Sequence, residues 1–342
     1  MSLTPKQIPE GAIRYNTDSN KMEVWIGEKW MIVSVSSPNL DGGVRGVIMG
    51  GSPAINIIDF ITISTAGNAQ DFGDLNEGKN RNGAAASRTR GLSMGGSKPS
   101  NAISNTIEFV TFSTTGDAQD FGDLNTSNGI TGGAGASNET RALSLGGFHM
   151  TPSQTGLNTI DFFSIASTGN SKDFGDLNGD IMYLGGCASP TRAVVAGGFD
   201  NPAIINIIQY VTISTTGDAE DFGDLTRHTH RNGGCSNATR GLFSLGEVPG
   251  TDGQKIVDSI QIASKGNSTR FGELSAGGQH SVGVSSPTRG VFVARQSPSP
   301  YAADVTMDYF QFASEGNAYE FGERSTSNGW GGGSCSNGHG GL

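Results

Sequence analysis

From Arg45 onward, short apolar runs alternate with small or polar punctuation on a beat of about 50 residues. Each unit opens at an arginine and an apolar run that ends in small residues: RGVIMGG, RGLSMGG, RALSLGG and RAVVAGG, then the degraded RGLFSLGE and RGVFVARQ. A β-branched and aromatic alternation follows, as in NIIDFITIST, NTIEFVTFST and NIIQYVTIST, with the period of two that predicts a strand. Next comes a Gly-Asn or Gly-Asp pair at Gly67, Gly116, Gly169, Gly217, Gly266 and Gly316. Its glycine is predicted to supply the positive φ of a tight hairpin turn. Five residues later stands the phenylalanine of a D-F-G-D-L-type motif, which therefore predicts the partner strand of a hairpin and the start of its exit loop. A Gly/Ala/Ser run precedes the next arginine (NGAAAS, GGAGAS, GGCAS, NGGCS, SVGVSS, GGGSCS) and predicts a fourth strand, its small side chains suited to convergence on an axis.

The motif phenylalanines Phe72, Phe121, Phe174, Phe222, Phe271 and Phe321 are spaced by 49, 53, 48, 49 and 50 residues. The arginines Arg45, Arg90, Arg141, Arg192, Arg240 and Arg289 keep nearly the same beat. Two markers in phase define six repeats of four strands, and this predicts an all-β fold, a six-bladed β-propeller over residues 40–342. No repeat carries a 3.6-residue pattern, so helical solenoids are excluded, and a β-helix needs shorter coils. The final GWGGGSCSNGHGGL reads as a fourth-strand sequence with nothing to follow it, while the Arg45 repeat lacks one. The C-terminal strand is therefore expected to complete the first blade and leave no open sheet edge. VSVSSP at 33–38 is the rival for that place.

Residues 1–39 break from the repeat. AIRYN, KMEVWIG and KWMIVSV read as three strands joined by the turn segments TDSN and GEK. Tyr15, Trp25 and Trp30 are large for so short a piece, which cannot bury enough surface alone and must pack on the repeats or on copies of itself.

Composition narrows the function. The 53 glycines show no Gly-X-Y period, so collagen is excluded. No run of 18 apolar residues exists and the N-terminus lacks a secretory core, so membrane insertion and secretion are not expected. A net charge of −10 without a basic cluster argues against nucleic acid as a partner. The three cysteines have no metal spacing, and a reducing cytoplasm is the expected site of synthesis.

Asp-Phe-Gly is a magnesium signature in kinases, but there it occurs once, with a glycine-rich loop and a catalytic loop that are missing here. The acids Asp74, Asp123, Asp176, Asp224, Glu273 and Glu323 could form a calcium set, yet no EF-hand pattern accompanies them and turn capping is the simpler role. The repeated arginines would form a circle near one rim, either as an anion or sugar site or as braces to neighbouring carbonyls or carboxylates. His228 and His230 are a possible metal pair without a third ligand nearby. Cys187, Cys235 and Cys335 fall where other repeats have Ala85, Ala136 and Val284, and read as buried small residues. No nucleophile elbow or copper-radical constellation can be assembled, so no cofactor, no metal and no catalytic residue is expected. Loops that depart from the repeat are the candidate ligand face: 147–156 with His149, 297–304 with Tyr301, and Trp330.

The repeat layout resembles kelch, with Phe60, Phe109, Phe162 and Tyr210 where kelch has tyrosine and the motif phenylalanines where it has tryptophan. Gly11, Arg14, Tyr15, Asn16, Asn20, Lys21, Glu23, Trp25 and Trp30 resemble an element near the attachment ends of phage tail fibres. Repeats such as TISTTGDAEDFGDL resemble structural proteins of marine and cyanobacterial phages. These resemblances imply a virion protein, a tail-fibre or appendage component that meets other virion proteins through residues 1–39, forms a homo-oligomer (a trimer), and recognises host-surface carbohydrate. A capsid decoration or neck protein is the alternative within structure, and a polysaccharide-degrading propeller enzyme is the rival of another class.

Overall fold

The computed structural model describes residues 8–17, 21–33, 44–126, 129–150, 154–251, 253–326 and 329–342. No helix occurs among them; the fold is all-β and every pairing is antiparallel. The chain divides into two compact units, 1–40 and 41–342.

The first unit is a meander of β1 (Ile13–Asn16), β2 (Lys21–Trp25) and β3 (Trp30–Ile32). Its register pairs Ile13 with Val24 and Val24 with Met31, and Tyr15 with Met22, so these five apolar residues share one face. Ile13, Tyr15, Met22 and Met31 are exposed. The other face is polar and aromatic. Arg14 pairs with Glu23 at 2.8 Å and lies 4.2 Å from the Trp30 ring centre, and the Trp25 and Trp30 rings sit 5.4 Å apart.

Among the described residues the second unit contains six main sheets, I to VI, each built on four strands in the predicted order, and two small two-stranded pairings. Sheet II is typical: Gly83–Ala86, Arg90–Met94, Thr106–Thr111 and Gln119–Asp123. The leading strands of sheets III to VI are Ala134–Ser137, Gly185–Ala188, Gly233–Ser236 and Val282–Ser285. Sheet I takes its leading strand, Gly333–Ser336, from the far end of the chain, where it pairs with Arg45–Met49. The rival VSVSSP lies, past Val33, outside the described residues. Each leading strand packs on those of the sheets before and after it, and Gly333–Ser336 packs on both Gly83–Ala86 and Val282–Ser285. A Cβ on Gly135 or Gly234 would overlap the carbonyl oxygen of Ala84 or Gly186, which is why these strands are written in Gly, Ala and Ser.

Sheets are joined face to face by apolar layers. Leu92, Met94 and Phe121 of sheet II meet Phe163 and Ile165 of sheet III, and Ile48, Ile61 and Ile63 of sheet I meet Val291, Met307 and Phe321 of sheet VI. The six motif phenylalanines are at most 3 % exposed, and four of them stand edge-on to Phe60, Phe109, Phe162 and Tyr210 of their own sheet at 5.7–5.9 Å. The carbonyl of each motif phenylalanine accepts the N–H of the Gly-Asn/Asp glycine of the next repeat: Gly116 to Phe72, Gly169 to Phe121, Gly217 to Phe174, Gly266 to Phe222, Gly316 to Phe271 and Gly67 to Phe321. The sequence places that glycine in a tight hairpin turn. It lies instead in a longer connection, such as residues 213–219 between Ala203–Thr212 and Glu220–Asp224, where its N–H docks on the neighbouring sheet.

The repeated arginines also reach across sheets. Arg45 donates to the Phe112 carbonyl at 2.6 Å, Arg90 to Ile165 at 2.9 Å, Arg141 to Ile213 at 3.0 Å, Arg192 to Ile262 at 2.8 Å and Arg240 to Phe312 at 2.7 Å. Arg289 donates to Ser64 at 2.8 Å, passing from the last repeat to the first. Five of these guanidiniums lie over the third-strand aromatic of their own sheet. Sheet V has Ser259 at that place, and Arg240 rests over Phe271 instead.

Candidate functional site

The polypeptide enters every leading strand through one residue of left-handed backbone. In order these are Arg81 (φ 53°), Gly132 (67°), Tyr183 (60°), Arg231 (60°), His280 (58°) and Gly331 (66°). Each N–H donates to the carbonyl of the preceding member: Gly132 to Arg81 at 2.8 Å, Tyr183 to Gly132 at 2.7 Å, Arg231 to Tyr183 at 2.7 Å, His280 to Arg231 at 2.9 Å, Gly331 to His280 at 3.2 Å and Arg81 to Gly331 at 2.5 Å. The six main chains thus form a closed hydrogen-bonded ring at one end of the leading strands. The left-handed region costs a residue with a Cβ about 1 kcal/mol or more relative to glycine. Two ring positions use glycine; four carry large polar or aromatic side chains in spite of that cost.

Those four side chains gather at a mouth. Below it lies a cavity of about 110 Å³ lined by the ring and the Gly/Ala/Ser strands. Above it is an open depression of about 350 Å³, lined by Arg81, Arg231, Glu247, Gln279, His280, Gln296, Tyr301 and Trp330. His280 is the centre of an aromatic wall: its ring is 4.8 Å from Trp330, tilted by 33°, and 5.7 Å from Tyr183. Arg231 is compensated, donating to Glu247 at 2.6 Å and to Gln279 at 2.7 Å. Arg81 is not: its guanidinium lies 5.7 Å from the Tyr183 ring centre and 5.8 Å from that of Trp330. It has no carboxylate or hydrogen-bond partner among the described residues, and its Nε is buried without one. Burial, reinforced by the nearby positive charges of Arg231 and Arg81, holds the His280 imidazole neutral, its pKa well below 6.5.

The opposite end of the leading strands is closed by residues 338–342. His339 Nε2–H donates to the Ala86 carbonyl at 3.0 Å and lies 3.2 Å from Ser137 Oγ, while its Nδ1 accepts the Gly341 N–H at 3.0 Å. Both ring nitrogens are committed in the neutral form, and burial lowers the pKa to about 4. His230 is likewise lowered to about 4, first by burial and then by Arg231. Between pH 6.5 and 4 the unfolded chain therefore binds protons that the folded protein refuses. We predict that stability falls with falling pH across that window, by about 2 kcal/mol at pH 5 for each of these two histidines. Urea unfolding at pH 7.5 and pH 5 measures it; equal midpoints would refute the assignment.

Of the residues singled out from sequence, Tyr301 and Trp330 meet in the depression above the mouth. His149 does not line it; it belongs to a two-residue pairing, Phe148–His149 with Thr155–Gly156, whose Phe148 touches Tyr183 at 5.0 Å. His228 and His230 diverge: His228 is exposed and its Nδ1 lies 2.9 Å from the Ile204 carbonyl oxygen, whereas His230 is buried beside Tyr183 and Phe199. Asp74 and its counterparts use their backbone, Asp74 N–H donating to Asp117 Oδ1 at 3.0 Å and its carbonyl accepting from Ala118 at 2.8 Å. The three cysteines are buried free thiols, burial raising Cys187 and Cys335 to about 12.

Arg81, Tyr183, Arg231 and His280 escape a reading of motifs because their letters do not repeat. A signal was present in register: each stands nine residues before a repeated arginine (Arg90, Arg192, Arg240, Arg289). No known protein-family model matches this sequence, and no curated protein matches it.

Proposed function

We propose that the protein is a structural component of a bacteriophage virion, a tail-fibre or appendage subunit in which six sheets form the blades of a kelch-like β-propeller and its mouth recognises host-surface glycan. The observation that carries the recognition role is the mouth itself, where four of six equivalent ring positions hold Arg, Tyr, Arg and His at a conformational cost that glycine would avoid. The propeller reading is supported by the cyclic contacts of the leading strands and by inter-sheet bonds that return from the last repeat to the first.

In this reading the first unit joins the protein to other virion proteins and to copies of itself, favouring a trimer. Its apolar face of Ile13, Tyr15, Met22, Val24 and Met31 is the surface such assembly covers. A binding rather than hydrolytic role is supported by the mouth's carboxylate, Glu247, being committed to Arg231. The test is particle composition together with adsorption. Purified virions should contain the chain in a fixed copy number, and soluble protein should slow phage adsorption to host cells. Recovery of the chain from infected lysates but not from particles would overturn the proposal.

A further inference from the structure

We propose that the mouth takes an acidic saccharide, its oxyanion held by Arg81 and its pyranose ring resting against Tyr301 and Trp330 in the depression. This deepens the glycan-binding reading and rests on it.

Three independent observations converge. The first is charge. Arg81 is the uncompensated cation of the mouth among the described residues, since Arg231 is matched by Glu247 and His280 is neutral. A half-buried guanidinium with a partnerless Nε lacks the bidentate oxyanion its planar fork is shaped to receive. The second is shape. The depression of about 350 Å³ falls at the small end of ligand pockets, roughly 300–1,000 Å³, and suits one or two sugar rings. Its lining aromatics, Tyr301 and Trp330, offer apolar ring surface to the C–H face of a pyranose, while the Gln279 and Gln296 amides, bonded to Arg231, to each other and to the Tyr301 carbonyl, hold the lining in place. The third is strain. The left-handed backbone at position 81 is the conformation that Gly132 and Gly331 adopt without penalty, so the arginine is retained for its side chain.

The oxyanion can be a uronic carboxylate or a sulfate ester; both present the paired oxygens a guanidinium binds. The experiment is calorimetric titration of the full chain, at constant ionic strength, with methyl β-D-glucuronide, glucose 6-sulfate, methyl β-D-glucoside and sodium sulfate. At least one acidic sugar should bind 10-fold or more tightly than the neutral glucoside, and which one does so identifies the charged group. Sodium sulfate alone should bind more weakly than that sugar. Arg81→Gly should abolish the preference while melting at the same or a higher temperature, a gain that a residue kept for stability would not show. Arg81→Lys should retain part of the preference.

Equal binding of acidic and neutral sugars, preference surviving in Arg81→Gly, sulfate binding as tightly as the sugars, or no sugar binding would each overturn the inference. Equal binding of both sugar classes would leave glycan recognition standing. Absence of the chain from virions would remove the virion role without touching the titration.

Discussion

Arg324→Met will destabilise the second unit by about 3–5 kcal/mol and lower its melting temperature by about 10 °C. The Arg324 side chain is fully buried after the last strand of sheet VI. It donates from Nε to Asp59 Oδ2 of sheet I at 2.6 Å, from Nη1 to the Gly329 carbonyl at 2.5 Å and from Nη2 to the Gly50 carbonyl at 2.9 Å. Asp59 is itself fully buried, so removing the guanidinium leaves a carboxylate with, among the described residues, only the Ser325 hydroxyl and strands two carbonyls. Desolvated charges of this kind are costly to orphan and cheap to replace together. Arg324→Met combined with Asp59→Leu should therefore recover most of the loss. A single substitution that melts within 2 °C of the parent would show that the junction between sheets VI and I is not held by this pair.

The second large effect is expected at a motif glycine. Gly223 has φ of +149°, and a Cβ there would stand 2.5 Å from the carbonyl carbon and oxygen of Gly266. Gly223→Ala must adopt an unfavourable φ and also push sheet V off sheet IV, breaking the Gly266-to-Phe222 hydrogen bond. These effects together should cost about 3 kcal/mol or more. Gly217→Ala is the control: its φ is +152°, but nothing lies within 4 Å of a Cβ placed there. It should pay the backbone term alone, about 1–2 kcal/mol. Denaturant midpoints of the two variants measure the docking contact by difference, and equal midpoints would remove it from the account.

The repeat count, the four-strand order and the completion of sheet I by the C-terminal strand were legible because each is written as a letter recurring in phase. The arginine at the head of each second strand and the phenylalanine of each D-F-G motif must satisfy the same contact six times, so the same residue is needed six times. Where several residues can satisfy one contact, the letters diverge and the pattern fades. The third strand carries a buried acceptor at Asp59, Glu108, Asp161, Gln209, Asp258 and Asp308. Its partner is Arg324 for Asp59, Lys79 for Glu108 and Arg295 for Asp308, all charged. Glu108, Asp161, Gln209, Asp258 and Asp308 also accept a backbone N–H from the preceding sheet, that of Asn76, Asn125, Asn178, Thr226 and Ser275 in turn, and Asp161 and Asp258 accept the hydroxyls of Ser171 and Ser268 in their own repeat. The variety of partners hid one structural role.

The mouth was hidden for a related reason. Trp330 and Tyr301 drew notice as aromatics in irregular stretches, but Arg81, Tyr183, Arg231 and His280 share a backbone conformation rather than a chemistry. A left-handed φ on a non-glycine residue has no signature in the letters. The Gly-Asn/Asp pair is the opposite case: its letters suggest a tight turn, yet the glycine sits in a longer connection where its backbone, at φ of 150–154° in five of the six, sets the requirement and the sheet beside it does not.

The ring at the mouth is made of main-chain atoms alone, six amides each facing the next carbonyl. No ring bond passes through a side chain, so a change at Arg81, Tyr183, Arg231 or His280 removes none of the six, whereas a Cβ on Gly132 would stand 2.7 Å from the Phe148 ring. In the proposed role, recognition is thereby kept apart from the bonds that hold the ring. Under that role, Arg81, Tyr183, Arg231 and His280 can change with the target while the six main-chain bonds stay as they are.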